Sequence, residues 1–198
     1  MTSSLSLPTL ILASSSPYRA ALLKQLGLSF KTHSPDLDET PLPQEPPQQL
    51  VARLAEAKAR KVGAKLPNAL IIGADQVAVL NQSLLGKPGT HERALQQLRA
   101  ASGQRVIFYT GLCLFNTITG QTRTAIEFFQ VEFRQLTETQ IEHYLQREKP
   151  YQCAGSFRSE GLGIALFKRL QGDDPSALIG LPLIRLTTFL EQEGYPIL

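Results

Sequence analysis

The chain has no tryptophan, one methionine, three histidines and two cysteines in 198 residues. Cys113 and Cys153 lie far apart outside any recognisable motif. That excludes a disulfide framework and reads as two small core residues in a reducing compartment. His33, His91 and His143 have no ligand spacing to either cysteine or to one another, so a zinc site is not expected. No stretch approaches the roughly 20 apolar residues of a membrane span. The opening SLPTLILASSS has the outline of a secretory core, but no Lys or Arg precedes its short apolar run. A first buried strand accounts for it better, and the cytoplasm is the expected location. Blocks of one charge are missing too: the net charge is +3 and the basic residues are dispersed. Without an aromatic–basic module, that pattern argues against nucleic acid as a partner. No GxSxG, no GxxxxGK[ST] and no GxGxxG leading into a helix occurs, and the GxG of GLGIALF sits in a strand-like run.

Hydrophobic residues make up 42% of the chain and charged ones 19%, enough for one sizeable core. With neither repeat nor linker, residues 1–198 read as a single domain. Leu10–Ala13 suits a buried strand; Ser16 caps a helix, Pro17 opens it and Gly27 stops it. A short strand near Phe30–His33 leads into SPDLDETPLPQEPP, a proline-rich loop that cannot be helix or central strand. Pro47 opens a long helix over QQLVARLAEAKARKVGAKL. ALIIGADQVAVL is a long buried strand with LLGKP as its turn or hairpin partner, and a helix covers Glu92–Ala101. RVIFYTGLCLFN and QTRTAIEFFQVEFRQL read as strands joined by a TITG hairpin. Thr137 with Gln140 forms a capping box, YQCAGSFRSEGLGIALF is a loop and strand, and a last helix spans Leu183–Glu193. The expected fold is α/β: a mixed, partly antiparallel twisted sheet flanked by helices, bent into two lobes around a cleft.

Several residues are out of place for a plain core. Arg19 falls in the first turn of a helix, where its charge opposes the backbone dipole by about 0.3–1 kcal/mol. An anion bound between the serines of SSSPYR and the guanidinium would reverse that sign; otherwise Arg19 is a solvated side chain behind an ordinary cap. Asp75 interrupts the most apolar strand, which costs several kcal/mol unless the carboxylate is paired, hydrated or metal-bound. Either it faces a site, or a bulge at Gly73 turns it to solvent. Glu39 and Lys87 lie on turns, and Lys58 lies on an amphipathic helix where a solvated face is the default. Polyphosphate chemistry requires such a set: cations for the phosphate oxygens, carboxylates for a divalent metal and a base for water.

SSSPYR, DLDET, the KA of AEAKA, GADQ, GKP, SGQRVIFYTG and CAGSFRSEG occur in this order over residues 14–161. Together they resemble the Maf family of nucleotide pyrophosphatases, the septum-formation or Maf-like proteins. The resemblance implies a cleft between two lobes, a fold similar to inosine triphosphate pyrophosphatases, and cleavage of a nucleoside triphosphate into monophosphate and pyrophosphate. It also implies a divalent cation (Mg2+, Mn2+ or Co2+) and is compatible with a homodimer. Carried over by motif, Ser14 and Arg19 bind phosphate, Glu39 holds metal, and Lys58 and Lys87 assist catalysis. Asp75 is the proton acceptor for the attacking water, with metal ligation the competing assignment.

Where many relatives read SPRR, ADT and a glutamine, this chain has Tyr18, Gln76 and Glu160. That resembles the branch acting on 7-methyl-GTP rather than the dTTP/UTP branch. The chemistry agrees. A carboxylate can accept two hydrogen bonds from guanine N1–H and its 2-amino group. A cationic methylated purine pairs with an aromatic face by about 0.5–2 kcal/mol. Alternatives are a pyrophosphatase for other nucleotides and a nucleotide-sensing regulator of cell division.

Overall fold

Three strands of twelve residues each, β3 (Ala69–Leu80), β5 (Arg105–Asn116) and β6 (Thr122–Phe133), form an antiparallel centre in the computed structural model, which describes residues 7–198. Around them stand β1 (Thr9–Leu12), β2 (Lys31–Thr32), β4 (Ser83–Leu85) and β7 (Phe167–Gln171). The order across the seven-stranded sheet is β2-β1-β3-β5-β6-β7, with β4 also on β3. β1 runs parallel to β2 and β3, and every other pairing is antiparallel. The mixed, partly antiparallel sheet expected from the sequence is the one observed.

Among the described residues six helices flank it: α1 (Pro17–Lys24), α2 (Pro47–Gly63), α3 (His91–Ala101), α4 (Glu138–Glu148), α5 (Pro175–Ile179) and α6 (Leu183–Gln192). Their starts follow local chemistry. Ser16, Thr90 and Asp174 each accept a backbone N–H at the head of a helix, and Thr137 with Gln140 closes a complete capping box. Among the described residues no helix is long and apolar enough to cross a membrane.

Alternation along β3 and β5 divides the core. On one face, Leu70, Ile72 and Leu112 pack with α1 and α6 at one end of the sheet. On the same face, Ala78, Leu80 and Phe108 pack with α3 and α4 at the other end. These are the two lobes. On the opposite face α2 lies across the strands, with Ala55, Ala59 and Val62 against Ile71 and Cys113. That crossing is very close. A Cβ on Gly73 would stand 2.1 Å from the Ala55 carbonyl oxygen, and one on Gly111 2.2 Å from that of Val51. Gly73 therefore serves close approach of a helix, not a bulge, and the β3–β5 register runs through it unbroken.

Two details depart from the sequence reading. The stretch GLGIALF is not strand: Ala154–Ser156 and Leu162–Leu166 are short 3-10 turns, and β7 begins only at Phe167. The α5 helix in DDPSALIG was not anticipated, although Asp174 before Pro175 is a helix-start signal.

Gly111→Ala should lower the unfolding free energy by about 1–3 kcal/mol, the cost of overpacking a tight contact. Chemical denaturation checks this; an unchanged midpoint would mean that α2 can move away freely.

Candidate active site

Pairing on one edge of β3 stops at Ile72, where β1 ends, and resumes at Ala78, where β4 begins. The gap between opens both faces of β3 to one cleft of about 510 Å³. Asp75 reaches it from the α2 face and Gln76 from the other, which neighbouring residues of a continuous central strand could not do. Ser14, Tyr18, Arg19, Glu39, Lys58, Asp75, Gln76, Lys87 and Glu160 all line this cleft. Every site residue picked from the sequence is thus brought to one place, from six separate stretches of chain.

The centre of the cleft is ionic. Lys58 points inward from α2 and is only 4% exposed, so the solvated-face alternative for it is not what forms. Its Nζ lies 2.6 Å from Asp75 Oδ1 and 2.7 Å from Glu39 Oε1. Asp75 is itself buried. Burial pushes its carboxyl above the ordinary carboxylate range, an effect that the Lys58 and Arg19 cations partly offset. Among the described residues, none donates a hydrogen bond to the second oxygen of either carboxylate. Two carboxylates in the cleft form a hard-oxygen donor set. Completed by phosphate and water oxygens, it fits a divalent cation of the magnesium type.

A second side of the cleft is built by the turn from β1 into α1. Ser14 Oγ accepts from the Ser16 amide, and Ser16 Oγ caps the helix at the Arg19 amide. Arg19 Nε donates to the Gly180 carbonyl at 2.8 Å, which lashes α1 to the end of α5. Burial pulls the Arg19 pKa down while Asp75 and Glu39 push it up. Lys87, on the exposed loop after β4, completes the cationic wall.

The opposite wall is aromatic and apolar, with Tyr18, Phe108, Phe157, Leu178 and Ile179. Gln76 Nε2 donates to the carbonyls of Ala177 (2.8 Å) and Leu178 (3.1 Å) and lies 3.0 Å from Thr110 Oγ1. Because backbone carbonyls only accept, the amide nitrogen must face them. Gln76 therefore holds α5 in place and has only Oε1 left for a ligand. Glu160 is exposed at the rim.

Three features escaped the sequence reading. Arg158 lies in the cleft between Tyr18, Glu148 and Glu160; its place in CAGSFRSEG was the available signal. Cys153 is not a core residue like Cys113 but lines the cleft, half-buried. Asp36 also lines the cleft, from a positive-φ position in the proline-rich loop.

Replacing Lys58 by Met leaves a buried carboxylate without its cation. A carboxyl whose folded pKa lies above the unfolded value of about 3.9 loses stability as pH rises through that window. Removing Lys58 extends the window upward. Lys58→Met should therefore cost little near about pH 4 and about 3 kcal/mol or more near about pH 8. Urea unfolding at both pH values measures it, and an equal loss at both would reduce Lys58 to a packing residue.

The chain matches the family model described as Maf-like protein over residues 9–193. It is 75% identical over 191 residues to a Nitrosococcus oceani protein named 7-methyl-GTP pyrophosphatase, covering 96% of each chain. Proteins of the same name from Aliivibrio fischeri and Methylobacillus flagellatus are 56% and 53% identical. The first covers 96% of this chain and 98% of its own, the second 97% and 100%. The cleft, its ionic centre and these matches together identify the chain as a member of the Maf-like protein family.

Proposed function

We propose that this chain is a nucleoside triphosphate pyrophosphatase that hydrolyses 7-methyl-GTP to 7-methyl-GMP and pyrophosphate, removing a modified nucleotide. The observation that carries this reading is the convergence of cations, buried carboxylates and an aromatic wall with a rim carboxylate on a single cleft. The names of the relatives support it.

In this mechanism Arg19, Lys87 and the N-terminus of α1 neutralise and position the triphosphate. Ser14 fixes the backbone of that turn. Asp75, its carboxyl pKa raised by burial, accepts a proton from the water that attacks the α-phosphorus. Lys58 holds the Asp75 carboxylate in place and stabilises its charged form. A divalent cation held by Glu39 would neutralise phosphate charge and make water more acidic when bound, and ligation by Asp75 as well is the competing assignment to its role as base. Tyr18 stacks on the base, Glu160 accepts from guanine N1–H and the 2-amino group, and Gln76 keeps the α5 wall in register. The protein works in the cytoplasm and needs no nucleic-acid partner.

Pyrophosphate release from 7-methyl-GTP, GTP, dTTP and UTP, with magnesium and then manganese, tests the reading. We expect the methylated guanine to be preferred, and Asp75→Asn to lower turnover about 100-fold or more while leaving the fold intact. Glu160→Gln should narrow the preference about tenfold, since a charge-assisted hydrogen bond is replaced by a neutral one. Preference for the pyrimidines would move the substrate to dTTP/UTP. Nucleotide binding without pyrophosphate release would favour the cell-division regulator.

We extend the proposal to a homodimer. Phe128 is 60% and Ile126 40% exposed, opposite Tyr109 and Gly111 on the sheet face that α2 covers only in part. A second copy would bury that patch. Light scattering should give twice the chain mass for the native protein and the single-chain mass for Phe128→Glu.

A further inference from the structure

Glu39 stands on a stretch of chain with little support of its own. From Asp38 to Gln44 every residue is exposed, so packing does not fix this stretch. Among the described residues, the only backbone-to-backbone hydrogen bond between positions 34 and 45 runs from the Glu45 amide to the Leu42 carbonyl. The polar contacts that tie this loop to the rest of the described protein come from two cations of α2. Lys58 takes the Glu39 carboxylate, and Arg53, one and a half turns earlier, takes the chain beyond it. Arg53 Nε lies 2.6 Å from Glu45 Oε1 and Nη2 lies 2.7 Å from Oε2, a bidentate pairing. Nη2 also donates to the Thr40 carbonyl at 3.3 Å, on the residue that follows Glu39. Glu45 Oε2 in turn accepts from the Leu42 amide at 3.0 Å, which closes the clasp.

We propose that Arg53 is a positioning residue for metal binding: by fastening the loop at Glu45 and at the Thr40 carbonyl, it keeps the Glu39 carboxylate at the cleft. The inference rests on the reading of Glu39 as a metal ligand and deepens it. A carboxylate on a loose loop must be ordered before it can hold an ion, and the ordering entropy is subtracted from the affinity. Lys58 cannot supply that order by itself, because a divalent cation at Glu39 repels the ammonium that the same carboxylate holds. The Arg53 contacts use Glu45 and the Thr40 carbonyl and no oxygen of Glu39. They therefore persist when the Glu39 carboxylate turns to an ion. Partners standing behind a ligand in this way contribute about 10–100-fold to metal affinity.

Mn2+ binding to the protein without nucleotide, followed by the EPR signal of the free ion, reads this directly. Arg53→Gln should weaken binding about tenfold. The sign is diagnostic, since loss of a nearby cation acting through charge alone would tighten it. Arg53→Lys should bind as weakly as the glutamine variant, because one ammonium cannot span both Glu45 oxygens and the Thr40 carbonyl. In a Glu39→Gln background, adding Arg53→Gln should change the affinity by less than about twofold, since its effect passes through a carboxylate already gone. Tightened or unchanged binding in Arg53→Gln, native affinity in Arg53→Lys, or losses that add in the double variant overturn the proposal. Glu45→Gln opens the same clasp from the loop side, and its cycle with Glu39→Gln decides the matter if Arg53→Gln does not fold. If the native protein binds no Mn2+, or Glu39→Gln binds it equally well, the metal reading fails and this inference with it. If Glu39→Gln loses the ion and Arg53→Gln does not, only the role of Arg53 fails.

Discussion

The ammonium of Lys58, buried between Asp75 and Glu39, is the constraint on which the rest of the site depends. A lone carboxylate in the middle of an apolar strand would be driven to its neutral form. Paired with Lys58, it can be buried and still hold charge. That pairing needs α2 to lie almost on the sheet, and only glycine at positions 73 and 111 allows the helix backbone to come that near. Two residues without side chains thus set the position of the most important side chain in the cleft. The same closeness brings Ala55 and Ala59 against the sheet, where larger residues would push the lysine away from its partners.

The cleft itself is a consequence of topology. β1 ends early and β4 starts late along the same edge of β3, so the strand is bare where it carries Asp75 and Gln76. Elsewhere in the sheet two adjacent residues serve opposite faces and never meet. Here the first builds the ionic centre and the second ties down the α5 wall of the cleft. Arg19 and Gln76 both fasten the α5 segment, through Gly180 in one case and Ala177 and Leu178 in the other. The α1 turn and the bare stretch of β3 are thereby joined through α5 by hydrogen bonds, and a shift in one is felt in the other.

Elements with strong local signals were legible in the sequence. The 12-residue strands, the capping box at Thr137 and the Ser16–Pro17 helix start all appear where the pattern places them, because period and capping are properties of a few neighbouring residues. The glycine-punctuated stretch from Tyr151 to Leu166 was not. Its positive-φ glycine at position 155 and its 3-10 turns are imposed by packing against Phe108 and Tyr144 from distant strands and helices. That Lys58 turns inward was legible only through the family resemblance, for the same cause. On a helix, AEAKARK looks like a solvated stripe, and nothing local says that a carboxylate waits opposite it.

The sequence by itself determined the set of groups: an anion-seeking turn, a carboxylate out of place in an apolar strand, dispersed lysines, and an aromatic and an acid for a base. Local pattern singles out Arg19 and Asp75, whereas the lysines, Tyr18 and Glu160 are marked only by the resemblance to the family's motifs. Only the tertiary structure decided which of these groups touch. It placed Lys58 between two carboxylates, spent the Gln76 amide nitrogen on backbone carbonyls, moved Cys153 to the cleft wall and laid Arg158 on Tyr18. Those outcomes depend on distances between residues tens of positions apart in the chain, which the crossing of α2 over the sheet and the gap beside β3 fix.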